Sequence, residues 1–173
     1  MSHEPAGRPR LGPFLLFAAL YALADQLLKW AVVASLQLGE SRAVIPGFAN
    51  LTYLRNRGGA FSLLAGLPGG WGRAFFIIAT LAALAFVLYL YRWSPPASRP
   101  GRFGLWAIFG GGAGNLIDRA LHGEVVDFID LHIGVYHWPA FNLADSGITV
   151  GVILLALDLL RGRAPSPEDG AGA

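Results

Sequence analysis

Four long apolar stretches alternate with polar segments along the chain. They cover residues 14–38, 74–93, 103–121 and 141–160. A helix needs about 20 residues to cross roughly 30 Å of hydrocarbon, so each stretch is long enough for one crossing. The first stretch also has the small-residue pattern of a cleaved signal peptide at 22–24, but its apolar run continues to residue 38. The pattern predicts an all-α membrane protein with four transmembrane helices in a single domain, residues 1–173.

The segments between the apolar stretches predict little further structure. Short alternating apolar positions within residues 39–73 indicate a small β element. Residues 122–140 form a second loop that mixes acidic residues, histidines and aromatic residues. The last residues, 164–173, have the composition of a disordered tail.

The distribution of arginine predicts the orientation of the chain in the membrane. Two tails and the loop between the second and third stretches share one side, and the other two loops share the opposite side. The first side carries seven arginines and the second four: Arg8, Arg10, Arg92, Arg99, Arg102, Arg161 and Arg163 against Arg42, Arg55, Arg57 and Arg73. Because cytoplasmic loops are enriched in Lys and Arg, we expect cytoplasmic termini and two extracytoplasmic loops.

Composition agrees with this prediction and excludes several functions. The chain is 54% hydrophobic and 14% charged, whereas soluble domains carry about 25% charged residues. It has no cysteine, which excludes disulfides, thiol catalysis and cysteine-bound metals. The net charge is only +2, and no basic patch is interleaved with aromatic residues. Nucleic acid is therefore not expected as a partner.

Polar residues gather near one end of the third and fourth stretches. In the third, Asn115, Asp118 and Arg119 share one helix side, with Gly111 one turn further in. In the fourth, Asn142 and Asp145 stand three residues apart near the start. Because the two stretches run in opposite directions, both groups lie at the same level, just below the outer surface. Glycines spaced by four residues in both stretches permit close helix packing.

The carboxylates differ in their nearest charged partners. Asp118 can pair with its neighbour Arg119, and Asp25 can be neutralised by Lys29 at i,i+4. Asp145 has no basic residue within one turn, so its partner must come from elsewhere in the chain.

Asp127, which lies 18 residues before Asp145 across a short loop, is the best candidate for that partner. Two adjacent carboxyl groups share one proton, so one can deprotonate water while the other donates a proton. This chemistry hydrolyses a peptide bond and requires no metal or cofactor. Carboxylates within a membrane also serve proton relays and ion pathways. A proton- or ion-coupled transport component is therefore the alternative.

Four ordered motifs give the chain a family resemblance. They are NRGGAFSLL (56–64), GGAGNLIDR (111–119), VVDFIDL (125–131) and FNLADSGITVG (141–151). In order and spacing the chain resembles lipoprotein signal peptidase, the type II signal peptidase of bacteria, over about residues 14–160. Many members have alanine at the position of Gly59, which does not affect the proposed chemistry.

The resemblance implies a function and a membrane location. It implies an intramembrane aspartic endopeptidase of the bacterial cytoplasmic (inner) membrane, with its active site near the outer face. The substrates are prolipoproteins whose cysteine already carries a diacylglyceryl group, and cleavage occurs just before that cysteine. Members contain a small extracytoplasmic β cradle and a short outer helix, which fit residues 39–70 and 122–136. They are inhibited by the cyclic peptide globomycin.

The resemblance also assigns roles to individual residues of this chain. Asp127 and Asp145 correspond to the catalytic pair. The positions that correspond to substrate binding are Asn56, Gly58, Gly111, Asn115, Arg119, Asn142 and Ala144. Asp25 and Asp118 correspond to supporting polar positions.

Two other protease chemistries have weaker support in the sequence. His122, His132 and His137 share one loop with Glu124 and could bind zinc, but the sequence has no HExxH motif. Ser146 could serve as a nucleophile only with a nearby base, and none of the four apolar stretches contains histidine.

Overall fold

Four long helices form the body of the protein in a computed structural model that describes residues 9–57, 71–96 and 98–162. They are α1 (Leu11–Ser35), α2 (Trp71–Trp93), α3 (Arg99–Leu121) and α4 (Leu143–Gly162). Each overlaps one predicted apolar stretch, with boundaries shifted by up to four residues. The predicted tail at 164–173 lies outside the described residues.

Three of these helices are long and apolar enough to cross a membrane: Leu11–Ser35, Trp71–Trp93 and Leu143–Arg161. Side chains on their outward surfaces are apolar and exposed, such as Leu16 at 61% and Ile78 at 66%. In a bilayer these surfaces face lipid. The helix α3 has 23 residues but is less apolar, because it contains many glycines and several polar side chains.

The least apolar helix, α3, lies at the centre and contacts each of the other three. Its glycines allow the close approach. A Cβ atom on Gly104 would meet the backbone oxygen of Gly151 in α4 at 2.6 Å, and a Cβ on Gly112 would meet Leu84 of α2 at 2.9 Å. Small residues of this kind are typical of helix contacts in lipid, where van der Waals packing replaces the hydrophobic effect as the driving force.

A four-stranded antiparallel sheet covers one end of the helical body. Its strands are β1 (Ser41–Ile45), β2 (Ala49–Asn56), β3 (Val125–Ile133) and β4 (Tyr136–His137), in that order across the sheet. Apolar side chains from the sheet pack on the end of α1 in a buried cluster that contains Val32, Leu36, Tyr53, Val126 and Phe128. The strands β1 and β2 confirm the β element expected in the first loop.

The expectation of a short outer helix within residues 122–136 is wrong for this segment. Residues Val125–Ile133 form the strand β3, whose backbone pairs with β2 over most of its length. The segment VVDFIDLHI is rich in β-branched and aromatic residues, which favour a strand. Pairing with β2 satisfies backbone groups that a short exposed helix would leave to water.

A second buried cluster closes the opposite end of the helical body. Phe14 of α1 stacks on Tyr91 of α2 with 4.4 Å between ring centroids, and Leu105 of α3 completes the contact. The two clusters hold the helices together at their ends. The polar groups described below lie between the sheet and the helices.

Candidate active site

The first turn of α4 carries Asp145 in a reciprocal hydrogen-bonded cap. The side-chain oxygen of Asn142 accepts from the backbone N–H of Asp145 at 2.9 Å, and Asp145 Oδ2 accepts from the backbone N–H of Asn142 at 3.4 Å. Such a capping box satisfies N–H groups that the first helical turn leaves unpaired. The spacing of three residues between Asn142 and Asp145 is the spacing that this cap requires. The cap holds Asp145 at the helix start.

The same Asn142 side chain reaches the second predicted carboxylate. Its Nδ2 donates to Asp127 Oδ1 at 2.8 Å, and the side chain is completely buried. Asn115 of α3 donates from Nδ2 to Asp145 Oδ1 at 2.7 Å. Asn142 therefore connects Asp127 of the sheet with Asp145 of α4, and the structure brings together four of the predicted site residues.

Asp127 is buried near the start of β3. It is 4% exposed, and Asn56 of β2 donates from Nδ2 to its Oδ2 at 3.1 Å. Burial raises the pKa of Asp127 to about 6, and the nearby Asp145 charge adds to the rise. The hydrogen bonds from Asn56 and Asn142 oppose this effect, because they stabilise the charged carboxylate. Asp127 therefore holds its proton more tightly than an ordinary aspartic acid.

A buried ion network supports the site from α1. Lys29 Nζ lies 2.7 Å from Asp25 Oδ2 and 2.8 Å from Asp118 Oδ2, and it donates to Asn115 Oδ1 at 3.0 Å. The predicted Asp25–Lys29 pair is confirmed, but the same lysine also pairs with Asp118. Because Lys29 binds the oxygen of Asn115, the amide nitrogen of Asn115 remains directed at Asp145.

The helix α1 also holds the start of α4 directly. Asp25 Oδ1 accepts from the backbone N–H of Ala144 at 2.9 Å, and Tyr21 donates its hydroxyl to the backbone oxygen of Leu143 at 2.7 Å. A negative carboxylate at a helix start is stabilised by the helix dipole. These contacts set the position of the α4 turn from which Asp145 projects.

Gly111 and Ala144 lie in the contact between α3 and α4. A Cβ on Gly111 would clash with the backbone oxygen of Ala144, and Ala144 is completely buried. Both residues therefore bring the two helices together beside Asp145. Gly58, also predicted in the site, lies outside the described residues.

Arg119 extends the polar region towards α2. Its guanidinium lies over the ring of Phe76, with 4.9 Å to the centroid, and its charge interacts favourably with Asp127 and Asp145. Nearby, Glu124 pairs with Arg55 at 2.5 Å and with Arg57 at 2.9 Å. These two pairs hold the end of β2 against the start of β3, next to the Asn56–Asp127 contact.

Sequence reasoning identified the carboxylates but missed part of their support. The i,i+4 spacing predicts Lys29 only as a neutralising partner of Asp25, and the sequence pattern gives no role to Tyr21 or Gln26. Gln26 donates to Asp118 Oδ1 at 2.8 Å. One signal was available for Lys29, because it is the only lysine in the chain and lies in an apolar stretch one turn from an acid.

The geometry gives no support to the two alternative protease chemistries. His137 pairs with Asp130 at 2.7 Å and stacks on His132. Within the described ranges, no group of three or more His, Cys, Asp or Glu side chains could hold a metal ion. Ser146 donates its hydroxyl to the backbone oxygen of Asn142 at 2.9 Å, which is an ordinary contact inside a helix.

The fold and site define a multi-pass membrane protein with two linked carboxyl groups at the junction of sheet and helices. Residues 17–161 match the family model of signal peptidase (SPase) II. The chain belongs to the signal peptidase II family, and it is therefore a peptidase. The transport alternative is not supported.

Named relatives and solved structures agree with the family model. A lipoprotein signal peptidase of Ralstonia nicotianae is 46% identical over 91% of this chain and 90% of its own length. One of Geobacter metallireducens is 42% identical over 94% and 99%. A bacterial membrane enzyme solved by the in meso method at 2.3 Å resolution superposes with a TM-score of 0.82 at 35% identity, covering 95% of this chain and 98% of the other.

Proposed function

We propose that this chain is an intramembrane aspartic endopeptidase that removes signal peptides from diacylglyceryl-modified bacterial prolipoproteins, cleaving before the lipid-modified cysteine. The observation that carries the proposal is the link through Asn142, which contacts Asp127 Oδ1 at 2.8 Å and the Asp145 backbone N–H at 2.9 Å. Two carboxyl groups held by one buried amide have the arrangement that acid–base hydrolysis of a peptide bond needs.

The raised pKa of Asp127 supports a division of roles within the pair. The proposed reaction starts from molecules in which Asp127 carries the proton, a form that its pKa of about 6 leaves appreciably populated just above that pH. Asp145 takes a proton from water as the water oxygen attacks the scissile carbonyl carbon, and Asp127 gives its proton to the carbonyl oxygen. The product of this step is a tetrahedral diol bound between the two side chains.

The second step breaks the bond between carbon and nitrogen and restores the pair. Asp145 gives its proton to the nitrogen of the lipid-modified cysteine, which leaves as an amine. Asp127 takes a proton from one hydroxyl of the diol, and the other hydroxyl remains in the new carboxyl group. Asp127 is then protonated and Asp145 ionised, as at the start.

The remaining predicted residues have two kinds of role in this proposal. Asn56, Gly58 and Arg119 bind backbone carbonyl groups of the substrate beside the pair. Gly111, Asn115, Asn142 and Ala144 act on substrate binding by fixing Asp145, as their contacts with α4 suggest. Asp25 and Asp118 support them through Lys29.

The proposal includes four membrane spans with both termini in the cytoplasm. The low hydropathy of α3 is compatible with a span, because its polar groups and glycines face the other helices, not lipid. Its 23 residues extend about 35 Å, enough to cross the hydrocarbon. The excess of arginine on the side of the tails supports a cytoplasmic location for them. The carboxyl pair then lies near the outer face, where water is accessible.

Cleavage of a purified, diacylglyceryl-modified prolipoprotein by the reconstituted protein tests the proposal. We expect cleavage before the modified cysteine, inhibition by globomycin, and loss of turnover in both Asp127→Asn and Asp145→Asn. An unmodified prolipoprotein is the control substrate and should remain uncleaved. Substantial turnover by either variant would contradict the aspartic mechanism, even if the family substrate is correct.

A further inference from the structure

An exposed apolar edge of the sheet has no role in the proposed reaction. It is formed by the turn between β1 and β2 and the turn between β3 and β4. We call this edge the apolar rim and define it by six exposed residues: Val44, Phe48, Ile133, Val135, Tyr136 and Trp138. Val135 is 85% exposed and Tyr136 is 82% exposed. Apolar surface of this extent marks a membrane or protein contact.

Hydrogen bonds join the two turns into one surface. The backbone N–H of His132 donates to the backbone oxygen of Phe48 at 2.8 Å, and Trp138 N–H donates to the oxygen of Leu131 at 2.8 Å. The neighbouring polar group Asp130 already accepts from Asn50 at 2.8 Å. The bond between His132 and Phe48 connects the two turns, and the carboxylate beside the rim has its partner within the sheet.

The position of the rim places it close to the bilayer boundary. The sheet covers the end of α1, where Val126 and Phe128 pack on Val32 and Leu36. Trp138 precedes the first residue of α4 by five positions, a distance of at most about 17 Å even for extended chain. Because α4 is one of the apolar candidate spans, this limit keeps Trp138 within reach of the level at which that helix leaves the hydrocarbon.

The composition of the rim favours lipid over a charged partner. Residues 43–48 and 133–138 contain no Asp, Glu, Lys or Arg. Tyrosine and tryptophan are enriched at membrane interfaces, where an apolar ring meets a polar edge. An apolar surface without formal charge that adjoins the end of a membrane span is continuous with the lipid-facing surface of the helices.

We propose that the apolar rim inserts into the interfacial region of the bilayer and anchors the sheet beside the helices. The anchor acts on the strand β3, which carries Asp127 eight residues before Val135. The proposal concerns a lipid contact of this surface, and it holds whether or not the proposed reaction is correct.

Single-cysteine spin labelling tests the anchor, and the native chain simplifies it because it has no cysteine. A nitroxide on Val135→Cys is measured in full-length protein in nanodiscs of phosphatidylcholine and phosphatidylglycerol. The readout is the ratio of its collision rates with oxygen, which concentrates in lipid, and with a water-soluble nickel chelate. Ser41→Cys is the matched control, since Ser41 is an exposed residue of the same sheet that lies outside the apolar rim, and it is about as close in sequence to the end of α1 as Trp138 is to the start of α4.

We expect the ratio at Val135→Cys to exceed that at Ser41→Cys several-fold. Equal ratios would overturn the proposal, because the rim would then lie in water. Protection from both reagents would also overturn it in favour of a protein partner, and dipolar broadening between labels would identify that partner as a second copy of the chain.

Fluorescence quenching provides a second measurement without a label. Brominated lipids should quench the emission that Trp138 contributes, obtained as the difference between the native protein and Trp138→Phe. A difference spectrum that bromine does not reduce would overturn the proposal.

Discussion

Asp127→Asn is expected to abolish activity and to gain stability relative to the native protein as the pH rises. The pKa of Asp127 is raised from 3.8 to about 6, chiefly by burial, so its ionisation is less favourable in the folded protein than in the unfolded chain. A shift of this size corresponds to about 3 kcal/mol. Asp127 contributes this stability fully below its unfolded pKa, and the contribution is lost as the pH rises through about 6.

Asparagine is neutral throughout this range and does not lose the contribution. The difference in unfolding free energy between Asp127→Asn and the native protein should therefore increase by about 2.4 kcal/mol from pH 4 to pH 8. Both proteins are unfolded in detergent micelles at pH 4 and pH 8, and the unfolding free energies are subtracted. The subtraction removes the effects of titrating groups that the two proteins share. Parallel loss of stability in the two proteins would refute the reasoning.

Asp130→Asn is the matched control, since it makes the same chemical change three residues along β3. Burial opposes ionisation here too, but hydrogen bonds with His137 and Asn50 hold the pKa of Asp130 below its usual value. This group contributes stability above its unfolded pKa, which is lost as the pH falls through the folded pKa. Asp130→Asn should therefore lower stability at neutral pH, opposite in sign to Asp127→Asn.

Three further substitutions test packing, charge and proton affinity. Gly111→Ala should destabilise the α3–α4 contact by about 1–3 kcal/mol. Gly12→Ala, with nothing within 4 Å of its Cβ, should not lower the unfolding midpoint, and an equal loss of stability in both variants would contradict this. Lys29→Met leaves two buried carboxylates without their cation, and we expect a loss of about 3–5 kcal/mol; an unchanged thermal midpoint would argue against it. Asn56→Ala removes a donor that favours ionised Asp127, so the alkaline limb of kcat/KM should move to higher pH; a downward shift would exclude this role.

The sequence predicted those parts of the fold that depend on local chemistry. The four helices follow from apolar runs long enough to cross a bilayer, and the Asn142–Asp145 spacing indicated that both side chains meet at a helix start. The error at 122–136 has a different origin. Whether VVDFIDLHI forms a strand depends on β2, about 70 residues earlier. The alternation within residues 39–73 indicates a β element there, but it does not show which distant segment pairs with it.

The difference between local and distant contacts also explains which contacts of the site the sequence does not predict. The pairing of Lys29 with Asp25 is visible at i,i+4 in one helix, but its contacts with Asp118 and Asn115 cross to α3. Adjacency in the sequence predicts Arg119 as the partner of Asp118. Adjacent residues on a helix point in different directions, and the fold directs Arg119 to Phe76 of α2.

Asn142 contacts both Asp145 and Asp127, so the carboxyl pair can assemble only when the fold is complete. Its amide oxygen completes the first turn of α4, and its amide nitrogen holds a strand that forms only after β2 and β3 have met. In a chain whose helices have inserted but whose sheet has not formed, Asp127 and Asp145 are separated, so the proposed activation of water between them cannot occur. We expect newly inserted molecules to remain inert towards neighbouring helices until the last tertiary contact is made.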